Sequence, residues 1–85
     1  MNTLFMLMAQ FDGAPTLELE KVAHLLGLSA KEANHRAVSN GLPIPVFRLR
    51  DSQKCPFMVH TSDLAQHIDR CRESANHEWE RRHSL

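Results

Sequence analysis

Apolar residues come in blocks along this chain, and the polar residues between them mark where each block begins and ends. Leu4, Phe5, Met6, Leu7, Met8 and Phe11 predict a helix over residues 3–11, capped by Asn2 or Thr3. It has almost no polar face, so it needs cover on most sides. It is either a plain core helix or one that lends Leu4, Leu7 and Phe11 to a second copy of the chain. Asp12-Gly13 breaks it, and Pro15 keeps the following link extended. Leu17 and Leu19 fit a short strand stub. Leu19, Val22, Ala23, Leu25 and Leu26 then give an apolar stripe for a helix over about Glu18–Leu26, with Gly27 as its left-handed cap.

Ser29-Ala30-Lys31-Glu32 is a capping box that opens the next helix. Ala30, Ala33 and Ala37 share one side of it, suited to a close helix crossing, and Lys31, His35 and Ser39 lie nearly opposite. Asn40-Gly41 ends this helix, and Pro43 and Pro45 forbid its continuation. Val46 to Arg50 alternates as a strand, with Phe47 and Leu49 on one face and Arg48 and Arg50 on the other. The run 51–56 reads as a hairpin loop and Phe57–His60 as its returning strand. Thr61 is the expected cap of a last helix over 62–83, striped by Leu64, Ile68, Cys71, Ala75 and Trp79. At 1.5 Å per residue that helix is about 33 Å long, more than so small a domain can pack against. Its far end is either frayed in solvent or a dimerisation arm built on Cys71, Ala75 and Trp79.

These elements make one mainly α domain over 1–85 with a small β-wing. A helix-turn-helix at 18–40 runs into the wing at 46–60, flanked by helices at 3–11 and 62–83. The core expected from the pattern includes Leu25, Phe47, Leu49, Val59, Leu64 and Ile68. Eighty-five residues bury only about 60% of their unfolded surface, so this core is thin.

Formal net charge is zero, which looks wrong for a partner of nucleic acid, but its distribution is uneven. Lys31, Arg36, Arg48, Arg50 and Lys54 face only Glu32 and Asp51 between residues 29 and 54, a local +3. The positive charge therefore sits on the second helix of the helix-turn-helix and on the wing.

A polar helix face of this kind fits a duplex major groove. Lys31 is the first candidate for a base contact, with Asn34 and His35 beside it; each is otherwise an ordinary surface residue. Ser29, Arg36, Arg48, Arg50, Ser52 and Lys54 are candidates for the phosphate backbone. Arg36 could equally pair with Glu32, and the wing arginines could simply keep an exposed hairpin edge charged.

Other chemistries find little support. Cys55 and Cys71 do not make a disulfide scaffold and fit reduced thiols in a cytoplasm. The apolar start MNTLFMLMAQF has no basic flank and is far shorter than the roughly 20 residues of a membrane span. His60, Cys55, His67 and Cys71 lack a CxxC pair, so no metal is expected. No nucleophile-base motif or glycine-rich phosphate cradle is present, so neither catalysis, a cofactor nor a small-molecule substrate is expected.

NTLFMLMAQF, followed by GLSAKEANHRAVSNGLPIPVFRLRDSQKCPFMVHTSDLAQHID, resembles the pyocin activator protein (PrtN-like) family over about residues 2–72. LPIPVFRL and DSQK, with the VH and DLA that follow, carry most of the likeness. The resemblance implies a bacterial or prophage transcriptional activator within a DNA-damage-induced programme for phage-tail-like bacteriocin genes. More loosely, the segment is similar to the winged helix-turn-helix of excisionases and MerR-type regulators. Ser29 matches their recognition-helix cap, Gly41-Leu42-Pro43 the turn before the wing, and Asp63-Leu64 the start of the following helix. This chain has Arg50 where the family commonly has glycine, and Cys55 where it commonly has alanine.

The expected function is thus sequence-specific binding of double-stranded DNA by a homodimeric activator, cytoplasmic and nucleoid-associated, with RNA polymerase as a further partner. The alternatives are an excisionase-like factor that bends DNA, and an adaptor that uses the same fold to bind protein.

Overall fold

The computed structural model describes residues 2–84, so Met1 and Leu85, the ends of the expected domain, lie outside the described residues. Helix α1 (Thr3–Gln10) is capped by Asn2, whose side chain accepts from the Phe5 amide. Asp12 and Gly13 end it in the left-handed region, at φ 57° and 75°, and Gly13 donates to the Met8 carbonyl at 2.6 Å. Strand β1 (Thr16–Glu18) leads directly into α2 (Leu19–Val22), which tightens into a 3-10 turn over Ala23–Leu26 and stops at Gly27, φ 75°. Helix α3 (Ala30–Val38) follows; then comes a long irregular segment, β2 (Met58–His60), and the long helix α4 (Thr61–His83).

The two-stranded sheet pairs β1 with β2 in antiparallel register, Leu17 opposite Val59. It ties the two helical pairs together, α1 lying along α4 and α2 crossing α3. Leu7, Leu17, Leu19, Val22, Ala33, Ala37, Ile44, Val59, Leu64 and Ala65 form the continuous buried core. Thr61 sits within it, 1% exposed, donating its hydroxyl to the Ala14 carbonyl at 2.7 Å and its amide to that of Pro15. Among the described residues every buried side-chain polar atom has a partner.

The architecture is the expected one, mainly helical with a small β element flanked by helices, but several details differ. The helix foreseen over Glu18–Leu26 is split, because Val22 leaves helical geometry at φ −114° and the chain winds more tightly afterwards. That rotation carries Leu25 out of the core, to 43% exposure. Leu19, foreseen as strand, is the first residue of α2. Thr61 does not cap α4; His60 does, its Nδ1 accepting from the Ser62 amide at 3.1 Å, which frees the Thr61 hydroxyl for Ala14.

The largest correction concerns the wing. The strand expected over Val46–Arg50 is reduced to one antiparallel bridge, Phe47 with Met58, on the side of β2 away from β1. Two hydrogen bonds hold it, at 2.7 and 3.0 Å. Prolines explain why it grows no further. In this register the next hydrogen-bonded pairs would be Pro45 with His60 and Leu49 with Pro56, and each proline lacks the N–H that the ladder needs. Leu49 is consequently 69% exposed, and Phe47 only half-buried. Val46, Phe57 and Ile68 pack against the core instead.

The apolar stripe of α4 also stops early. Leu64 and Ala65 are buried and Ile68 is half-buried, but every residue from Asp69 to Ser84 is exposed, Cys71 included. The helix therefore projects from a molecule 55 Å long and only 17 Å thin.

Candidate nucleic-acid interface

Helix α3 is built to show one face and hide the other. Ser29 accepts the Glu32 amide on its hydroxyl at 3.1 Å, fixing the first turn; the reciprocal half of the capping box does not form, and Glu32 faces Arg36 at 3.9 Å instead. Ala33 and Ala37, at 0% and 4% exposure, let α2 approach closely. Ala30, foreseen on that buried side, is exposed at the helix start. Asn40 closes the helix at φ 54°, its amide donating to Ala37 while the Gly41 amide donates to Arg36 at 2.8 Å. This paired closure satisfies the last carbonyls and stops the helix cleanly.

Sinking the alanines turns Lys31 and His35 outward, and both are exposed. With Ser29 and Glu32 they wall a shallow hollow of about 370 Å³ along the first turns. Asn34 is half-buried, and its amide nitrogen donates to Glu20 Oε1 of α2 at 2.7 Å. One donor of that side chain is thus committed, while its oxygen and second N–H remain available.

The loop after Phe47 is held locally rather than by a ladder. Arg48 donates from Nε to the Cys55 carbonyl at 3.0 Å and lays its guanidinium over the Phe57 ring at 3.9 Å. Ser52 accepts the Lys54 amide on its hydroxyl, and the Cys55 amide donates to the Ser52 carbonyl. Arg48 therefore clamps the loop, whereas Arg50 and Lys54 are exposed. Cys55, within the run foreseen as a hairpin loop, is half-buried.

Between this loop and α3 runs a cleft of about 340 Å³, lined by Glu20, Asn34, Val38, Arg48, Lys54 and Phe57 among others. It brings Asn34, Arg48 and Lys54 together. Arg50 and Ser52 lie outside it, and Lys31 and His35 stand along the other hollow. Sequence reasoning missed Glu20 and Val38. Nothing in the sequence marks Glu20, but Val38 is an apolar residue off the alanine face, which is a readable signal.

The surfaces foreseen for dimerisation fare unequally. Leu7 is buried within its own chain, and Leu4 and Phe11 are half-buried against the same core, so most of that face is already used. Phe5 and Met6, at 61% and 50% exposure, are what α1 shows outward. On α4, Cys71 contacts His67, with Sγ 3.6 Å from Nε2, Ala75 is exposed, and Trp79 stacks on His83 with ring centroids 4.3 Å apart.

Among the described residues no group of three or more His, Cys, Asp or Glu side chains could hold a metal ion, and no helix is long and apolar enough to cross a membrane. Comparison with curated proteins gives no match, and neither does comparison with solved structures. The family model described as pyocin activator protein PrtN matches residues 3–75, from the first residue of α1 to beyond the middle of α4. The match spans the helix-turn-helix, the clamped loop and both strands. The chain belongs to the pyocin activator protein PrtN family, and its function is that of a DNA-binding transcriptional activator of the pyocin and prophage type.

Proposed function

We propose that this activator binds double-stranded DNA as a homodimer, with α3 in the major groove and the loop around residues 50–54 against the flanking phosphates. One observation carries the reading: α3 sinks Ala33 and Ala37 and leaves Lys31 and His35 side by side in solvent. Lys31 donates to guanine O6 or N7, and Asn34, oriented by Glu20, offers adenine an acceptor and a donor. His35 meets a base edge or a phosphate. Arg36, Arg50 and Lys54 supply charge to phosphates, Ser29 and Ser52 supply hydroxyls, and Arg48 holds the loop that presents them.

Two subunits joined through the exposed end of α4, at Cys71, Ala75 and Trp79, put two α3 helices on one face of the duplex. Their separation is about 34 Å for half-sites one turn apart. The faces left open on the terminal helices are then free to meet RNA polymerase, which sets the protein on the nucleoid in the bacterial cytoplasm.

Quantitative gel shifts on a selected duplex and a scrambled one, at several salt concentrations, test this. Lys31→Ala is expected to lose about 1–3 kcal/mol on the selected duplex and almost nothing on the scrambled one. Arg50→Ala weakens both alike and lowers the salt slope by about 1 per subunit, about 2 for the dimer. Equal losses on both duplexes with Lys31→Ala would refute the base-reading role.

A further inference from the structure

We propose that Val38 reads the 5-methyl group of a thymine; this rests on α3 being the helix that enters the major groove. Val38 is the last residue of α3 and is 75% exposed. A β-branched apolar side chain there adds nothing to the core and lowers helix propensity relative to alanine. Its neighbours indicate what it meets. At 100° per residue, Lys31, His35 and Val38 fall within about 60° of one another on the helix surface, opposite the buried alanines. Along the axis the three span about 10 Å, within the roughly 12 Å width of a major groove.

Val38 also borders the cleft shared by Glu20, Asn34, Arg48 and Lys54. An apolar protein surface pressed on it would strand those polar groups without partners. A base-pair edge would not: it offers acceptors and donors, and its one apolar feature in the major groove is the thymine methyl. Arg48 and Lys54 line the same cleft, but beside Val38 two features offset their pull on a phosphate. The C-terminal end of a helix carries the negative end of its dipole, and Glu20, bonded to Asn34, adds an acid to the same cleft. Val38 thus faces base edges, while the cations of the loop face the backbone.

The test replaces each thymine in turn by deoxyuridine, which lacks only the methyl, in a duplex selected from a random pool by the wild-type protein. Wild type and Val38→Ala are compared on every replacement; alanine is the better helix former, so the variant folds. At one thymine per half-site, deoxyuridine is expected to weaken wild-type binding about four-fold, the worth of one buried methyl. In Val38→Ala the same replacement changes affinity little, and the two changes together lose no more than the substitution alone. Uridine effects of equal size in both proteins, or none at any thymine, overturn the assignment to Val38 while leaving DNA reading intact. If wild type enriches no duplex, the reading of α3 fails, and this inference fails with it.

Discussion

Deleting residues 73–85 separates the two possible lives of the α4 overhang. Within one chain the deletion removes no buried side chain among the described residues, since every residue from Asp69 to Ser84 is exposed. Among the described residues only local pairs are lost. Arg81 and Arg82 both bond Glu78, at 2.6 and 3.1 Å, and Trp79 stacks on His83. Exposed helical pairs are worth about 0.2–0.5 kcal/mol each, so together these supply about 1 kcal/mol. That is little for a segment no longer than the roughly 12–15 residues at which an isolated helix becomes even marginal. A second chain changes the arithmetic. Trp79 is 61% exposed. A tryptophan buries up to about 250 Å², leaving roughly 150 Å² to cover, worth about 4 kcal/mol at 25 cal/mol/Å². Two such rings give about 8 kcal/mol against an association cost of about 4–15, so the dimer is weak and assembles fully on DNA. At the low end of that cost about 4 kcal/mol is left, so sedimentation is expected to show concentration-dependent association of the full chain near millimolar concentrations. The shortened chain should stay monomeric, with its unfolding free energy lowered by no more than about 1 kcal/mol. A full chain that stays monomeric both free and on a two-half-site duplex, or a shortened chain that still pairs, would refute the reasoning.

Thr61→Val keeps the shape of the side chain but leaves the Ala14 carbonyl without its 2.7 Å donor, and is expected to cost about 1–3 kcal/mol by urea unfolding; Thr61→Ser should retain the bond. Asn40 sits at φ 54°, so thermal melts should rank the variants there with glycine at least equal to asparagine and Asn40→Ala about 1 kcal/mol less stable. Ser29→Ala removes the acceptor for the Glu32 amide and is expected to cost about 1 kcal/mol of stability, largely restored by Ser29→Asp; no loss with alanine would show that the hydroxyl does not cap.

The parts legible in the sequence are those decided within a few residues. Asn2, Gly27, Ser29 and the Asn40-Gly41 pair stand where their local chemistry puts them, because a cap or a left-handed turn is specified by its own residue. The alanine face of α3 was legible for the same reason. The length of the first wing strand is not legible, because alternation alone says nothing about which residues lie opposite. Once Phe47 is set against Met58, Pro45 and Pro56 fall on the donor positions of the ladder, and β2 takes β1 as its main partner. Thr61 and Arg48 show a similar limit. Each has an obvious role in the pattern, as cap or as wing charge, yet Thr61 is engaged by a carbonyl 47 residues away and Arg48 by groups that only the folding-back of its loop brings near.

The charge pattern then constrains how such a small protein can be specific. With Arg48 committed to its loop and Lys31 assigned to bases, Arg36, Arg50 and Lys54 are the exposed cations left for phosphates on the proposed DNA face. Three phosphate contacts give a salt slope of about −2.7, and two subunits about −5.4. Non-specific attraction is accordingly slight for one chain, and Glu20 and Glu32 weaken it further near α3. Discrimination must come from the short row of side chains on α3, and one nine-residue helix reads too few base pairs to single out a promoter. Pairing doubles that row without adding net charge, which makes a weak dimer compatible with strong selectivity. A measured salt slope near −5 on a two-half-site duplex, falling to about −3 once residues 73–85 are removed, is the signature this arrangement requires.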